Sequence, residues 1–473
     1  MRSGVSASFV LVFLIVATTV AYGGESALGG EEPAIRLLLS PAPPPVPALK
    51  YQLLPTMYER RPGNAAVFYG RVKAERTSFF TNQELWDKIE RAQDAPLEEV
   101  RSMEGLLTYE PWVLKDLERA GQCASCDWQY PLAEDGFETL VPDVTESRRY
   151  ARLLNAGARK HLALGEFDQA VQTLKVGYAL ARHTADAPII TPGLVGVSVT
   201  GWMSDGVLEL VQQPGAPNLY WALTYLPHPF FDVRRAFEGE MLCIGYQLPQ
   251  LQHVDSAVKS TEHWRSQLQT TFQVFEEQLG NSEEDVARFR TMMALRMLRG
   301  YPLAKRALIA GGMSPAEVHA MPVGQVLLLE SAQQFAACRD EHLKWTEEPY
   351  WTAAKGLEEA GRKSDHADRD WGAALPVMAF FPAHQAAAAA FVRIDRQIAM
   401  LRVIEALRLY GAAHAGRLPA RLEEIAEVPI PVDPVTGQPF EYQLEGDVAR
   451  LGGPRHVGRP LRYEIRFRPE GSR

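Results

Sequence analysis

The sequence predicts a mainly α-helical protein: an irregular helical-hairpin domain followed by a small C-terminal α+β module, an antiparallel sheet of about three strands on a long helix. Three observations carry that expectation. Apolar residues recur at helical spacing through most of the chain, most clearly from Gln385 to His414. Pro and Gly punctuate the segments in the order helices use, Pro in the first turn and Gly past the last, as at Pro111 and Gly121. Past His414 the apolar repeat shortens to alternate residues, the period of a half-buried strand.

The elements follow in order. Arg2 precedes an apolar run, Phe9 to Val20, and small residues Ala21 and Gly23 stand where a signal peptidase cuts. Residues 1–23 are expected to be a signal peptide cleaved near Gly23, with an uncleaved anchor as the alternative. The run is short for a bilayer span, which needs ~20 residues. The mature chain is therefore expected in the periplasm or outside the cell, with no stable transmembrane segment. Residues 24–50 contain SPAPPPVPAL and read as a Pro-rich linker.

Residues 51–384 read as the α-helical domain. Asp94 and Pro96 mark one helix start. Residues 122–143 lack periodicity and read as a loop. Ser147 to His183 reads as two antiparallel helices joined at LGEFD, with Ala158, Gly165, Ala170 and Gly177 allowing close approach. The segment around Leu194–Trp202 reads as a buried helix with close contacts at Gly193, Gly196 and Gly201. Asn218 caps LYWALTYL, and Phe231 to Gln247 is a long amphipathic helix. Gly311 and Gly312 end a later helix, and Ser314, Pro315 and Glu317 form a capping box for the next. Residues 348–372 read as exposed and charged.

Residues 385–473 read as the long helix plus sheet. Phe440, Tyr442 and Leu444 alternate with polar residues, and Glu445–Asp447 is a tight turn. Leu461, Tyr463, Ile465 and Phe467 face one way, and Arg462, Glu464, Arg466 and Arg468 the other. Such a one-sided sheet needs a partner, and the long helix supplies it.

The pair of helices at 147–183 resembles a tetratricopeptide-repeat hairpin at Ala158, Gly165, Phe167, Ala170 and Leu174, over about one repeat. The C-terminal region resembles the globular part of type II secretion pseudopilins, through Gly416, Pro419, Asp433, Pro434, Gly437, Pro439, Phe440 and Tyr442. It departs from them in having the helix internal and charged at Arg393, Asp395, Arg396, Arg402 and Glu405. The wider chain is similar to uncharacterised secreted proteins of planctomycete-type bacteria, in LKYQLLPTMYERRPGNAAVFY and HAGRLPARLEEI among other stretches. That last resemblance implies a secreted protein and assigns no activity.

The net charge of −9 weighs against nucleic acid and anionic lipid as main partners, since both ask for a basic face. Oxidation is permitted outside the cytoplasm, so Cys123 and Cys126 of CASC are a candidate disulfide. Inert thiols, a redox site and a metal site are the other readings of that spacing. Asp127 stands where haem attachment needs His, and no second Cys pair completes a zinc site. Cys243 and Cys338 sit at helical apolar spacing and read as buried structural thiols.

Common catalytic signatures are missing: no G-x-S-x-G, H-E-x-x-H, Walker loop or G-x-G-x-x-G. Asp365, His366 and Asp368 are metal-capable but lie in a charge run. Asp232, Glu238 and Glu240 gather carboxylates, yet residues two apart on a helix diverge. Trp221 and Tyr225, four apart, form a candidate ligand or partner face, with core packing as the plainer reading. No cofactor and no metal is expected. Two functions stand: a non-catalytic envelope scaffold that binds another envelope protein, and a secreted hydrolase of glycan or polymer with an unrecognised carboxylate site. A hydrolase predicts a pocket of convergent carboxylates or His; a scaffold predicts grooves or apolar patches.

Overall fold

The computed structural model describes residues 34–75, 77–106, 111–252, 254, 257, 259–277, 283–369, 375–377, 383–454 and 461–469. The expected signal peptide lies outside these residues. The protein is mainly helical with a small sheet. The elements run β1 (Ile35–Leu39), β2 (Arg61–Asn64), α1 (Ala65–Glu75), α2 (Thr77–Thr81), α3 (Gln83–Asp94), α4 (Leu97–Ser102), α5 (Pro111–Gly121), β3 (Cys123–Ser125), α6 (Leu132–Asp135), α7 (Asp143–Leu164), α8 (Phe167–Ala185) and α9 (Ile190–Leu210). They continue with α10 (Tyr220–Thr224), α11 (Val233–Gln247), α12 (Thr261–Glu277), α13 (Glu283–Ala310), α14 (Pro315–Ala320), α15 (Val323–Leu343), α16 (Tyr350–Arg369), α17 (Ala383–Ala413), β4 (Glu441–Glu445), β5 (Val448–Gly452) and β6 (Tyr463–Phe467).

Two compact units interleave along the chain. One gathers residues 26–129, 141–232 and 389–473; the other holds 130–140 and 233–388. The first is built on α7, α8 and α9. Gly165 ends α7 at φ 77°, a left-handed stop in which Glu166 N–H reaches the His161 carbonyl at 2.9 Å. The chain re-enters α8 two residues later. Small residues then set how closely the helices pack. A Cβ at Gly196 would stand 2.8 Å from the Ala181 carbonyl, and one at Gly206 would stand 2.8 Å from Leu174. Gly193 lies under the Phe391 ring in the same way. Gly201 departs from expectation: nothing approaches within 4 Å of where its Cβ would be.

The sheet of this unit has four strands in the order β1-β6-β5-β4. The antiparallel part is the expected one, with Leu451 opposite both Tyr442 and Tyr463. β1 adds to it in parallel, Leu37 opposite Ile465. Within the stretch expected as a linker over 24–50, residues 24–33 lie outside the described residues, and Ile35–Leu39 is instead an edge strand, with Leu37 and Leu39 buried and Leu38 and Arg36 facing out. Its period-two pattern IRLLL is too short and too apolar on both faces to stand out beside the prolines that follow. The sheet rests on α17, where Phe467 packs against Gly411, whose missing side chain makes the room.

Two buried ion pairs fix α17 in this unit. Glu405 and Arg408, both 0% exposed, pair at 2.8 Å. Glu405 also accepts from Asn218 Nδ2 at 2.7 Å and Leu219 N–H at 2.8 Å, while Arg408 donates to the carbonyls of Ala216 and Ser40. Arg396 pairs with buried Asp433 at 2.8 Å. Asp433 accepts in turn from Val435 N–H at 2.9 Å, an Asx turn that Gly437 closes at φ 68°. Asp433 is thus committed to the turn and to Arg396, which is what DPVTG encodes.

Several local expectations change. Asp94 ends α3 instead of capping α4, which starts behind Pro96 with no side-chain cap. Residues 122–143 hold β3, paired in parallel with β2, and the short α6. LYWALTYL forms only the single turn α10. The charged run from 350 is helical, as α16.

The other unit packs α11, α12, α15 and neighbours around Met241, Ile244, Trp264, Leu328 and Phe335. A second cluster joins α13, α14 and α15 through Leu308, Val318 and Val326. The capping box forms as expected: Ser314 Oγ accepts from Glu317 N–H at 3.2 Å while the Glu317 carboxylate reaches back to Ser314.

Candidate functional site: a groove on α3, α7 and α9

A groove of about 580 Å3 lies on the first unit between α3, α7 and α9. Arg159 of α7 organises its floor. Its guanidinium donates to the carbonyls of Ala92, Gln93 and Ala95, which close the C-terminus of α3. A cation at that end meets the negative pole of the helix. The same side chain holds Glu209 of α9 in a bidentate pair, Nε to Oε2 at 2.8 Å and Nη2 to Oε1 at 2.7 Å. One arginine thus ties three helices into one wall.

Trp202 of α9 forms the opposite side, half-buried, with the Arg152 guanidinium 6.0 Å from its ring centroid. Arg152 also pairs with Glu90 at 3.4 Å. Asn155 donates to the Trp202 carbonyl at 3.0 Å and so fixes the backbone behind the ring. Asp94 and Asp205 complete the rim, Asp205 accepting from Gln397 Nε2 at 3.2 Å. Four carboxylates face two guanidinium groups, so the lining is net negative. Both guanidinium groups are already engaged with carboxylates.

A smaller cleft of about 390 Å3 opens where residues 49–59 cross α8. The Tyr51 hydroxyl donates to Asp168 at 2.7 Å, and Lys175 Nζ sits between both Glu59 oxygens at 2.5 and 2.6 Å. The Tyr51 hydroxyl, first, and then Lys50 hold the Asp168 carboxyl below the usual range. The polar groups of this cleft satisfy one another.

The residues singled out from sequence are scattered. Cys123 and Cys126 are buried free thiols at β3, beside an aromatic cluster. Burial raises the pKa of both, which keeps them protonated and poor nucleophiles. In that cluster Tyr69 stacks on Trp128 and Tyr150, and its hydroxyl meets His183 Nδ1 at 3.0 Å. Burial lowers the His183 pKa to about 4, so the ring is neutral. Cys243 is buried, its thiol pushed up to about 12 by desolvation. Cys338, partly buried, meets Ser364 Oγ at 2.9 Å. Trp221 is half-buried with its edge against Tyr220, and Tyr225 is 63% exposed; they border no groove described here. Glu238 pairs with Arg234 at 2.6 Å. Asp365, His366 and Asp368 lie on α16, their side chains outside the described set. Among the described residues no group of three His, Cys, Asp or Glu is placed to hold a metal.

Sequence reasoning missed the groove. Its one legible signal was Trp202 beside Asp205 on a helix read as buried, with Arg152 and Arg159 a helical turn or two apart on α7. Compared with known families, curated proteins and solved structures, the chain matches none.

Proposed function

We propose that this is a non-catalytic binding or scaffold protein of the cell envelope, and that the groove on α3, α7 and α9 holds a basic segment of a partner protein. The observation that carries this reading is the state of the groove's charges. A hydrolase needs a carboxyl shielded from water and cations to act as acid. Glu209 is chelated by Arg159, and Glu90 is exposed beside Arg152. The exposed carboxylates Glu90 and Asp94, in the same groove as Trp202, suit a Lys- or Arg-bearing chain that lays its stem on the ring. Asp395, a carboxyl that burial raises to about 7, lies outside the groove.

The envelope location rests on the leader read in residues 1–23. The resemblance of α7 and α8 to a tetratricopeptide hairpin agrees with a recognition role. Charge reversal tests the groove: Glu90→Lys with Asp94→Lys, both exposed, should leave the melting temperature unchanged and weaken partner capture from an envelope fraction at least about tenfold. Equal capture by both proteins, or release of sugars or peptides from envelope polymer by the wild type, would overturn the reading.

A further inference from the structure

The helix α13 exposes large apolar residues on its outward side as well as burying an apolar stripe on its inward side. Its inward face carries Phe289, Met293, Gly300, Ala304 and Leu308, and with them Arg296, all buried. Its outward face carries Met292, Leu295, Leu298 and Leu303, all exposed, Leu298 at 74%. A solvated helix keeps its apolar stripe inside and its charges outside. Here an arginine is inside and exposed leucines stand outside among arginines, and apolar side chains held in water along one helix mark an interaction surface.

The charges on the same face say what it meets. Arg288, Arg299 and Arg306 are exposed and fall close to whole turns apart, so they form one row, which runs between Leu295 and Met292. From Val286 to Ala310 the helix carries no Asp or Glu. The net charge of −9 is a property of the whole chain and hides this local row. Two copies meeting through this face would set arginine row against arginine row, which disfavours a symmetric dimer. The face belongs to a single helix of 28 residues, and its exposed apolar groups are aliphatic, without the Trp or Tyr anchors that dominate protein interfaces. Aliphatic side chains on either side of an arginine row along one exposed helix face suit the interfacial region of an anionic bilayer. There the leucines enter the acyl boundary and the guanidinium groups reach lipid phosphates.

We propose that the outward face of α13 docks on an anionic membrane surface without spanning it. No described helix is long and apolar enough to cross a membrane. The inference does not depend on the groove.

Vesicle cosedimentation of the full chain tests it, with phosphatidylglycerol–phosphatidylcholine mixtures against phosphatidylcholine alone. The mixed vesicles should bind roughly tenfold more tightly, and high salt should remove the difference. Leu295→Asp with Leu298→Asp, and separately Arg288→Glu with Arg306→Glu, should each lower binding to mixed vesicles by about tenfold or more. All four sites are exposed, so circular dichroism and melting should match the wild type, and the N-terminal apolar run is common to every protein compared. Equal binding to both vesicle types, or variants that bind like the wild type, would overturn the proposal. So would a change in the lipid-free oligomeric state in the leucine variant, which would assign the face to a protein partner.

Discussion

The buried charges of the first unit each have a consequence at the scale of a single residue. Glu405 is pushed up by desolvation and held down by Arg408 and the Leu219 amide. Removing one partner of such a pair leaves the other charge buried. Glu405→Ala is therefore expected to destabilise the protein by about 3–5 kcal/mol in urea unfolding. Asp395 behaves differently, because burial raises its pKa from 3.8 to about 7 while the Phe230 amide alone opposes the shift. The folded state then binds more protons than the unfolded one between those values. Stability from this group falls as pH rises through that window. Asp395→Asn, which keeps an acceptor for Phe230 N–H, should raise the melting temperature at pH 8 and lose that advantage near pH 4. His183 carries the opposite sign: its lowered pKa means that acid below its unfolded value of 6.5 destabilises the fold down to about 4. Its ring signals should not titrate between pH 7 and pH 5 in NMR spectra.

At the scale of elements, α9 offers a paired test on one helix. Gly196→Ala puts a methyl against the Ala181 carbonyl and the Ala185 side chain, and should cost about 1–3 kcal/mol. Gly201→Ala meets nothing and removes a flexible residue from a helix, so it should stabilise by about 0.5–1 kcal/mol. Chemical denaturation of the two variants checks both signs. The same pair shows what the sequence made legible. The helix itself, its burial and the need for small residues were readable from apolar content and Gly spacing. Which glycine faces a neighbour was not, because that depends on the rotation of α9 against α8 and α17. The Ser314 capping box and the alternation at Tyr463 and Ile465 were readable for the converse reason: both are set by residues three or two apart. β1 was not, since its partner β6 lies more than 400 residues away and nothing local announces a parallel edge strand.

For the whole molecule, the groove and the outward face of α13 were hidden from sequence by the same cause. Each is made by side chains whose direction follows from tertiary packing, Arg159 reaching across to α3 in one case and Arg296 turning inward in the other. Trp221 and Tyr225, the aromatic pair that stood out in sequence, share a short turn and line neither of the two clefts on the first unit. The measurement that tests the scaffold reading most directly is site-specific photo-crosslinking in the native cell, with the probe placed at Gln212 in the groove and, as a comparison, at exposed Tyr225. The account predicts one discrete protein adduct from Gln212, lost when Glu90 and Asp94 are both changed to Lys, and none from Tyr225. Adducts from Tyr225 with none from Gln212 would contradict it, as would adducts at Gln212 that survive the charge reversal.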